Sequence, residues 1–128
     1  MKLLVLEDDD FNIKLLNISL TMNGYQSLLA GTVAEAREIM ANHPDIACFL
    51  LDEELPDGRG SDLIPEIRGN TQWASAPIIF ASGHKDVDFI SLGANAFVPK
   101  PYRMAEISKV LHDTRMGVYT HNHSRCRV

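Results

Sequence analysis

The chain has 128 residues, 45% of them hydrophobic and 23% charged, which suits one globular domain and leaves no length for a separate catalytic or DNA-binding module. Acidic residues outnumber basic ones 17 to 12, a formal net charge of −5 that repels phosphate backbones and anionic bilayers, so neither nucleic acid nor membrane is an expected partner. Cys48 and Cys126 make no disulfide framework, and no apolar run has the length of a signal peptide core or a membrane span, so the expected location is the cytoplasm.

Residues 3–6 form a short apolar run of the kind that makes a strand buried on both faces, and it ends in Glu7, Asp8, Asp9 and Asp10. Asp9 or Asp10 can cap the helix that follows. Phe11, Leu15, Ile18 and Met22 step by three or four and predict that this helix lays their stripe on the sheet, stopping at Gly24. Residues 25–30 are the second strand, and Val33, Ala36 and Met40 mark a second helix that ends at His43-Pro44. The third strand, residues 46–51, holds Cys48 as buried packing and runs into Asp52, Glu53 and Glu54. Residues 61–68 predict a third helix, short or bent because Pro65 interrupts its ladder. Trp73 falls in the next loop and is expected to act as a surface cover. A fourth strand at residues 78–81 ends in Ser82 and Gly83, and residues 86–92 allow only about two turns of helix. The fifth strand, residues 96–98, leads to Lys100, and Ile107, Val110 and Leu111 mark the last helix. Residues 115–128 show neither periodicity and are expected to be a flexible tail on a domain of residues 1–114; His121 and His123 there define no metal site. Alternating strands and helices predict a doubly wound α/β fold with a parallel sheet.

In such a sheet, ligands bind beyond the carboxyl ends of the strands, where strand order reverses. Glu7, Asp8 and Asp52 would meet there and repel one another unless a cation sits among them, and hard oxygen donors suit Mg2+. Lys100, the Ser82 hydroxyl and the backbone N–H at Gly83 are the donors that a phosphoryl group needs on its oxygens. The pattern points to a phosphoryl group held on a carboxylate.

Glu7-Asp8, then Asp52-Glu53-Glu54-Leu55-Pro56 with Gly60, then Ser82, then Lys100-Pro101 resembles the receiver domain of bacterial two-component response regulators, over residues 2 to about 113. The resemblance implies a CheY-like, flavodoxin-like (βα)5 three-layer sandwich of strand order 2-1-3-4-5. It implies Asp52 as phosphoacceptor, Asp8 as a direct metal ligand, Glu7 as a ligand through water, and the Glu54 carbonyl as the remaining protein ligand. Ser82 matches the hydroxyl that follows the phosphoryl group in the switch, Lys100 the salt-bridging lysine, and Phe97 the aromatic that turns inward. The phosphodonor would be a histidine kinase or a histidine phosphotransfer protein. The domain would signal, catalysing only its own phosphorylation and dephosphorylation.

A narrower resemblance lies in residues 77–84 and in Lys100-Pro101-Tyr102, which are similar to the signatures of the FAT GUY single-domain regulators of alphaproteobacteria, partners of HWE-type kinases. Ile78, Ser82 and His84 depart from that motif. Eleven positions separate Ser82 from Gly93, about one helical turn fewer than in ordinary receivers, so the fourth helix should be short or mobile. Glu54 and His84, each two residues beyond a site residue, flank the phosphoryl position and are expected to tune its lifetime, His84 with a dependence on pH near neutrality. Asn12, Lys14 and Asn17 on the first helix are the expected dock for a kinase.

No effector motif follows the last helix, so output should pass through a downstream protein or as a phosphoryl shuttle or sink, from a monomer. A methionine directly before the first strand makes a free-standing protein the expectation. Three rivals stand beside this reading. A haloacid dehalogenase-type phosphatase needs Asp-x-Asp-x-Thr at the first strand, where Asp8-Asp9-Asp10 runs into Phe11 and Asn12. A calcium loop needs a ligand spacing that residues 52–58 lack. A phosphorylation-independent interaction module would have no use for the full set of site residues.

Overall fold

The computed structural model describes residues 1–117; most of the expected tail, with His121, His123 and Cys126, lies outside the described residues. The elements run β1 (Lys2–Leu6), α1 (Asp10–Met22), β2 (Gln26–Ala30), α2 (Val33–Asn42) and β3 (Ile46–Leu51). A two-stranded antiparallel hairpin, β4 (Glu54–Leu55) and β5 (Gly58–Arg59), and a 3-10 turn (Gly60–Asp62) precede α3 (Leu63–Arg68). The chain continues through β6 (Ile78–Ser82), α4 (Phe89–Leu92), β7 (Ala96–Pro99) and α5 (Met104–Arg115). The main sheet is parallel in the order β2-β1-β3-β6-β7. This is the predicted 2-1-3-4-5 order with the hairpin strands counted in. The order reverses between β1 and β3, and the crevice opens there.

Successive residues of each central strand face opposite layers, because side chains alternate along a strand. Leu4, Leu6, Phe49, Leu51, Ile78 and Phe80 pack beneath α2, α3 and α4. Leu3, Val5, Cys48, Leu50, Ile79 and Ala81 pack beneath α1 and α5. The predicted stripes of α2 (Val33, Ala36, Met40) and α5 (Ile107, Val110, Leu111) are the buried faces. No described helix is long and apolar enough to cross a membrane.

Two expectations fail. Phe11, Ile18 and Met22 of α1 are 69%, 50% and 77% exposed, and the helix buries Leu16, Ser19 and Leu20 instead. The helix carries apolar residues on two adjacent faces, and a spacing of three or four fits both. Packing against α5 as well as the sheet selects the face on which small Ser19 allows close approach. Trp73 is no surface cover: it is buried in the layer with α3, edge-on to Phe49 at a centroid distance of 6.1 Å.

The short elements have local causes. The 3-10 turn moves the start of α3 to Leu63, so Pro65 lies in the first turn, where its missing N–H has no helical partner to lose. α4 has four residues and ends at Gly93, whose φ of +120° places it in the left-handed region. A Cβ there would also come within 2.9 Å of Ile64. The Gly93 carbonyl accepts from Arg68 Nε and Nη2 at 3.1 and 2.9 Å, and the same guanidinium binds the Ala76 carbonyl and Asn95 Oδ1. One arginine thus ties the end of α3 to the turn after α4. At the other end of the chain α5 runs through Arg115, past the expected boundary, with its guanidinium bonded to the Asn23 carbonyl and 5.1 Å above the Tyr25 ring.

Candidate functional site

Four strands of the parallel sheet deliver polar residues to one edge. Glu7 follows β1 and continues its ladder by donating its N–H to the Ala30 carbonyl, and Asp52 follows β3 and donates likewise to Leu6. Ser82 is the last residue of β6, and Lys100, just past β7, donates its N–H to the Ser82 carbonyl. Each side chain is therefore fixed by backbone pairing that the buried apolar strands enforce.

Glu7 and Asp52 are buried while Asp8 is exposed, and the three offer carboxylate oxygens within 4.8 Å of one another. Lys100 Nζ donates to Glu7 Oε1 at 2.7 Å and to Asp52 Oδ2 at 3.0 Å. The ammonium thereby offsets two like charges that proximity would otherwise drive apart. Burial pushes the Glu7 carboxyl above the usual carboxylate range, against the lowering effect of Lys100. Burial also acts to lower Lys100, but its hydrogen bonds to Glu7 and Asp52 outweigh this and hold the ammonium above its ordinary value. The second Asp52 oxygen, Oδ1, accepts from the Glu53 N–H at 2.7 Å.

Asn12, Glu54, Leu55 and Pro56 complete the walls of the acidic crevice. At its lip, His84 Nε2 and Glu54 Oε1 lie 2.7 Å apart, and beyond this bridge a second depression opens against Arg59, Asp86 and Val87. The Ser82 hydroxyl is fully buried and accepts from the His84 N–H at 3.0 Å, while Gly83 is exposed. Phe97 is half-buried and pairs with Phe80 across β6 and β7. The Phe89 ring stacks on Phe80 at 4.2 Å and tilts against Phe97 at 5.4 Å.

The predicted Glu7, Asp8, Asp52 and Lys100 converge, with Glu54 and Ser82 beside them. Of the expected docking residues, Asn12 lines the crevice, whereas Lys14 and Asn17 are exposed and do not line it; Asn17 accepts instead from the Ser27 hydroxyl on β2. Sequence reasoning gave no role to three residues. The Glu53 carboxylate turns away from the crevice to Ser61. The Asp57 carboxylate accepts from the Val33 and Ala34 N–H groups of α2. Tyr102, beside the site, has its hydroxyl pushed up by burial and by the charges of Glu7 and Asp52. Hairpin placement decides the first two contacts, and no spacing in the chain signals them.

The donor set fits Mg2+, since hard carboxylate oxygens meet at an open crevice that leaves room for water ligands.

Residues 3–112 match the family described as the response regulator receiver domain. Over 108 residues the chain is 38% identical to the transcriptional regulatory protein KdpE of Mycobacterium tuberculosis, covering 80% of this chain and 46% of that protein. The chain thus spans about half the length of the KdpE proteins that it matches. It is 25% identical over 118 residues to a chemotaxis protein CheY homolog of Campylobacter jejuni, covering 88% of this chain and 91% of the relative. The receiver domain of HemR from Leptospira biflexa superposes with a TM-score of 0.77 at 28% identity, covering 87% of this chain and 90% of that one. The receiver domain of the TMAO respiratory system response regulator TorR gives a TM-score of 0.79 at 26% identity, with 91% and 98% covered.

Proposed function

The chain belongs to the response regulator receiver domain family, and from that membership we propose that it accepts a phosphoryl group on Asp52 from a histidine kinase or a histidine phosphotransfer protein. The observation that carries the reading is the setting of Asp52: one oxygen on the Glu53 N–H, the other on Lys100, and Glu7 and Asp8 beside it. An Asp52 oxygen forms the bond to phosphorus in line as the phosphorus–nitrogen bond of the donor phosphohistidine breaks, and the imidazole leaves. Lys100 offsets the charge that gathers on the phosphoryl oxygens, and Ser82 and the Gly83 N–H are the remaining donors. Asp8, Asp52, the Glu54 carbonyl and, through water, Glu7 would hold Mg2+, which when bound would supply charge neutralisation at the phosphoryl group. Glu54 and His84 govern the approach of hydrolytic water, and Phe97 reads the position of Ser82.

The four-residue α4 and the Lys100-Pro101-Tyr102 run support the narrower reading of a monomeric, cytoplasmic single-domain regulator of the FAT GUY type, served by an HWE-type kinase. Its receiver unit is residues 1–115, one residue beyond the expected boundary because α5 runs through Arg115, and its output is contact with a downstream protein or phosphoryl shuttling. The test is incubation with an autophosphorylated HWE-type kinase and Mg2+, with acetyl phosphate as a second donor, followed by intact mass. Wild type should gain one phosphoryl group and Asp52→Ala none. Absence of label on wild type from both donors would favour the phosphorylation-independent interaction module.

A further inference from the structure

Glu53, directly after the acceptor, is 4% exposed. A buried carboxylate is costly unless its oxygens are satisfied, and a well-packed apolar side chain in such a place is often as stable or more so. Both Glu53 oxygens are satisfied by one residue: Oε1 accepts from the Ser61 N–H and Oε2 from the Ser61 hydroxyl, each at 2.8 Å. The backbone of Glu53 is held as well. Its carbonyl accepts from the Gly60 N–H at 3.1 Å, and its own N–H is the donor to Asp52 Oδ1. Gly60 lies so close that a Cβ there would overlap the Asp52 carbonyl. The hairpin therefore closes back on the acceptor, and the Glu53–Ser61 pair is its clasp.

We infer that Glu53 is a positioning residue for phosphoryl transfer: its clasp on Ser61 fixes the peptide whose N–H orients the Asp52 carboxylate. This rests on Asp52 being the acceptor. A carboxylate free to rotate spends less time in the in-line geometry, and small misplacement of a reacting group is expensive in rate. The glutamine isostere can keep both contacts, its oxygen accepting from the Ser61 N–H and its amide nitrogen donating to the Ser61 hydroxyl; leucine keeps neither.

The experiment follows phosphorylation of the full chain by acetyl phosphate with Mg2+ in wild type, Glu53→Gln, Glu53→Leu, Ser61→Ala and the Glu53→Leu/Ser61→Ala double variant, with thermal unfolding of each. Expected are a fall of about tenfold or more in rate for Glu53→Leu, a partial fall for Ser61→Ala, rescue by Glu53→Gln, and a double variant no slower than Glu53→Leu. Folded Glu53→Leu phosphorylated at the wild-type rate would overturn the inference, as would a double variant whose losses multiply. Should Glu53→Leu not fold, Ser61→Ala against Glu53→Gln decides, and a wild-type rate in Ser61→Ala would overturn it. Failure of wild type to take label counts against Asp52 as acceptor, which separates the two readings.

Discussion

Lys100 holds the two buried carboxylates of the site together, and its removal has consequences that differ with and without a cation. Lys100→Met leaves Glu7 and Asp52 facing each other without their donor, so metal-free protein should lose about 1–3 kcal/mol. Millimolar Mg2+ should restore much of that loss, and Mg2+ should bind more tightly than in wild type because a competing positive charge is gone. Thermal unfolding with and without Mg2+, together with calorimetric titration, checks both. Equal destabilisation at all Mg2+ concentrations would show that Lys100 does not act through the carboxylates. His84 closes the lip by its bridge to Glu54. His84→Ala should open the crevice to water and speed decay of the aspartyl phosphate several-fold at unchanged phosphorylation rate, followed by intact mass against time. Glu7, Asp8, Asp52 and Lys100 were legible in the chain because each sits at a strand end, and a strand end is signalled locally by the break from apolar to polar residues. Glu53 was not, because the orientation of its side chain depends on a hairpin that returns Ser61 to it.

That hairpin is clamped onto α2. Asp57 at its tip accepts from Val33 N at 2.8 Å and Ala34 N at 3.0 Å, the first turn of α2, where the helix dipole adds to the attraction. These two backbone hydrogen bonds hold the Asp57 carboxyl below its ordinary value. A depressed folded-state value means that the contribution to stability is present above the ordinary carboxylate range and is lost as pH falls through the folded value. Asp57→Ala should therefore be less stable than wild type at neutral pH, and the two should converge as pH drops below about 4. Chemical unfolding at a series of pH values tests this, and a constant difference across the series would exclude the clamp as its source. The hairpin and clamp were invisible in sequence, since Pro56-Asp57-Gly58 announces a turn without saying what the turn touches. Helix α1 shows the same limit more sharply. Its periodicity predicted a helix correctly and the buried face wrongly, because two apolar faces compete and only the neighbours choose. For α2 and α5 a single apolar face exists, and the chain alone was sufficient.

Across the molecule, aromatic packing joins the strands that carry the site to α4. Phe80 lies on β6 near Gly60, Phe89 brings α4 onto it, and Phe97 of β7 leans on Phe89. Residues 83–88 join Ser82 directly to α4, which has only four residues. Loading the site with beryllofluoride and Mg2+ should therefore alter amide hydrogen exchange across the whole of residues 83–93. Exchange in that segment that is the same in both states would rule out a switch through α4. The parallel sheet, the two-sided core and the carboxylate crevice were legible from local alternation, since buried parallel strands and right-handed crossovers leave few arrangements for such a chain; the order of the strands came from the resemblance to receiver domains. The face of α1, the burial of Trp73, the clasp of Glu53 on Ser61 and the clamp of Asp57 on α2 came from the folded molecule. Each depends on which distant segment arrives alongside, and the periodicity of a chain carries the type of its elements but not the identity of their partners.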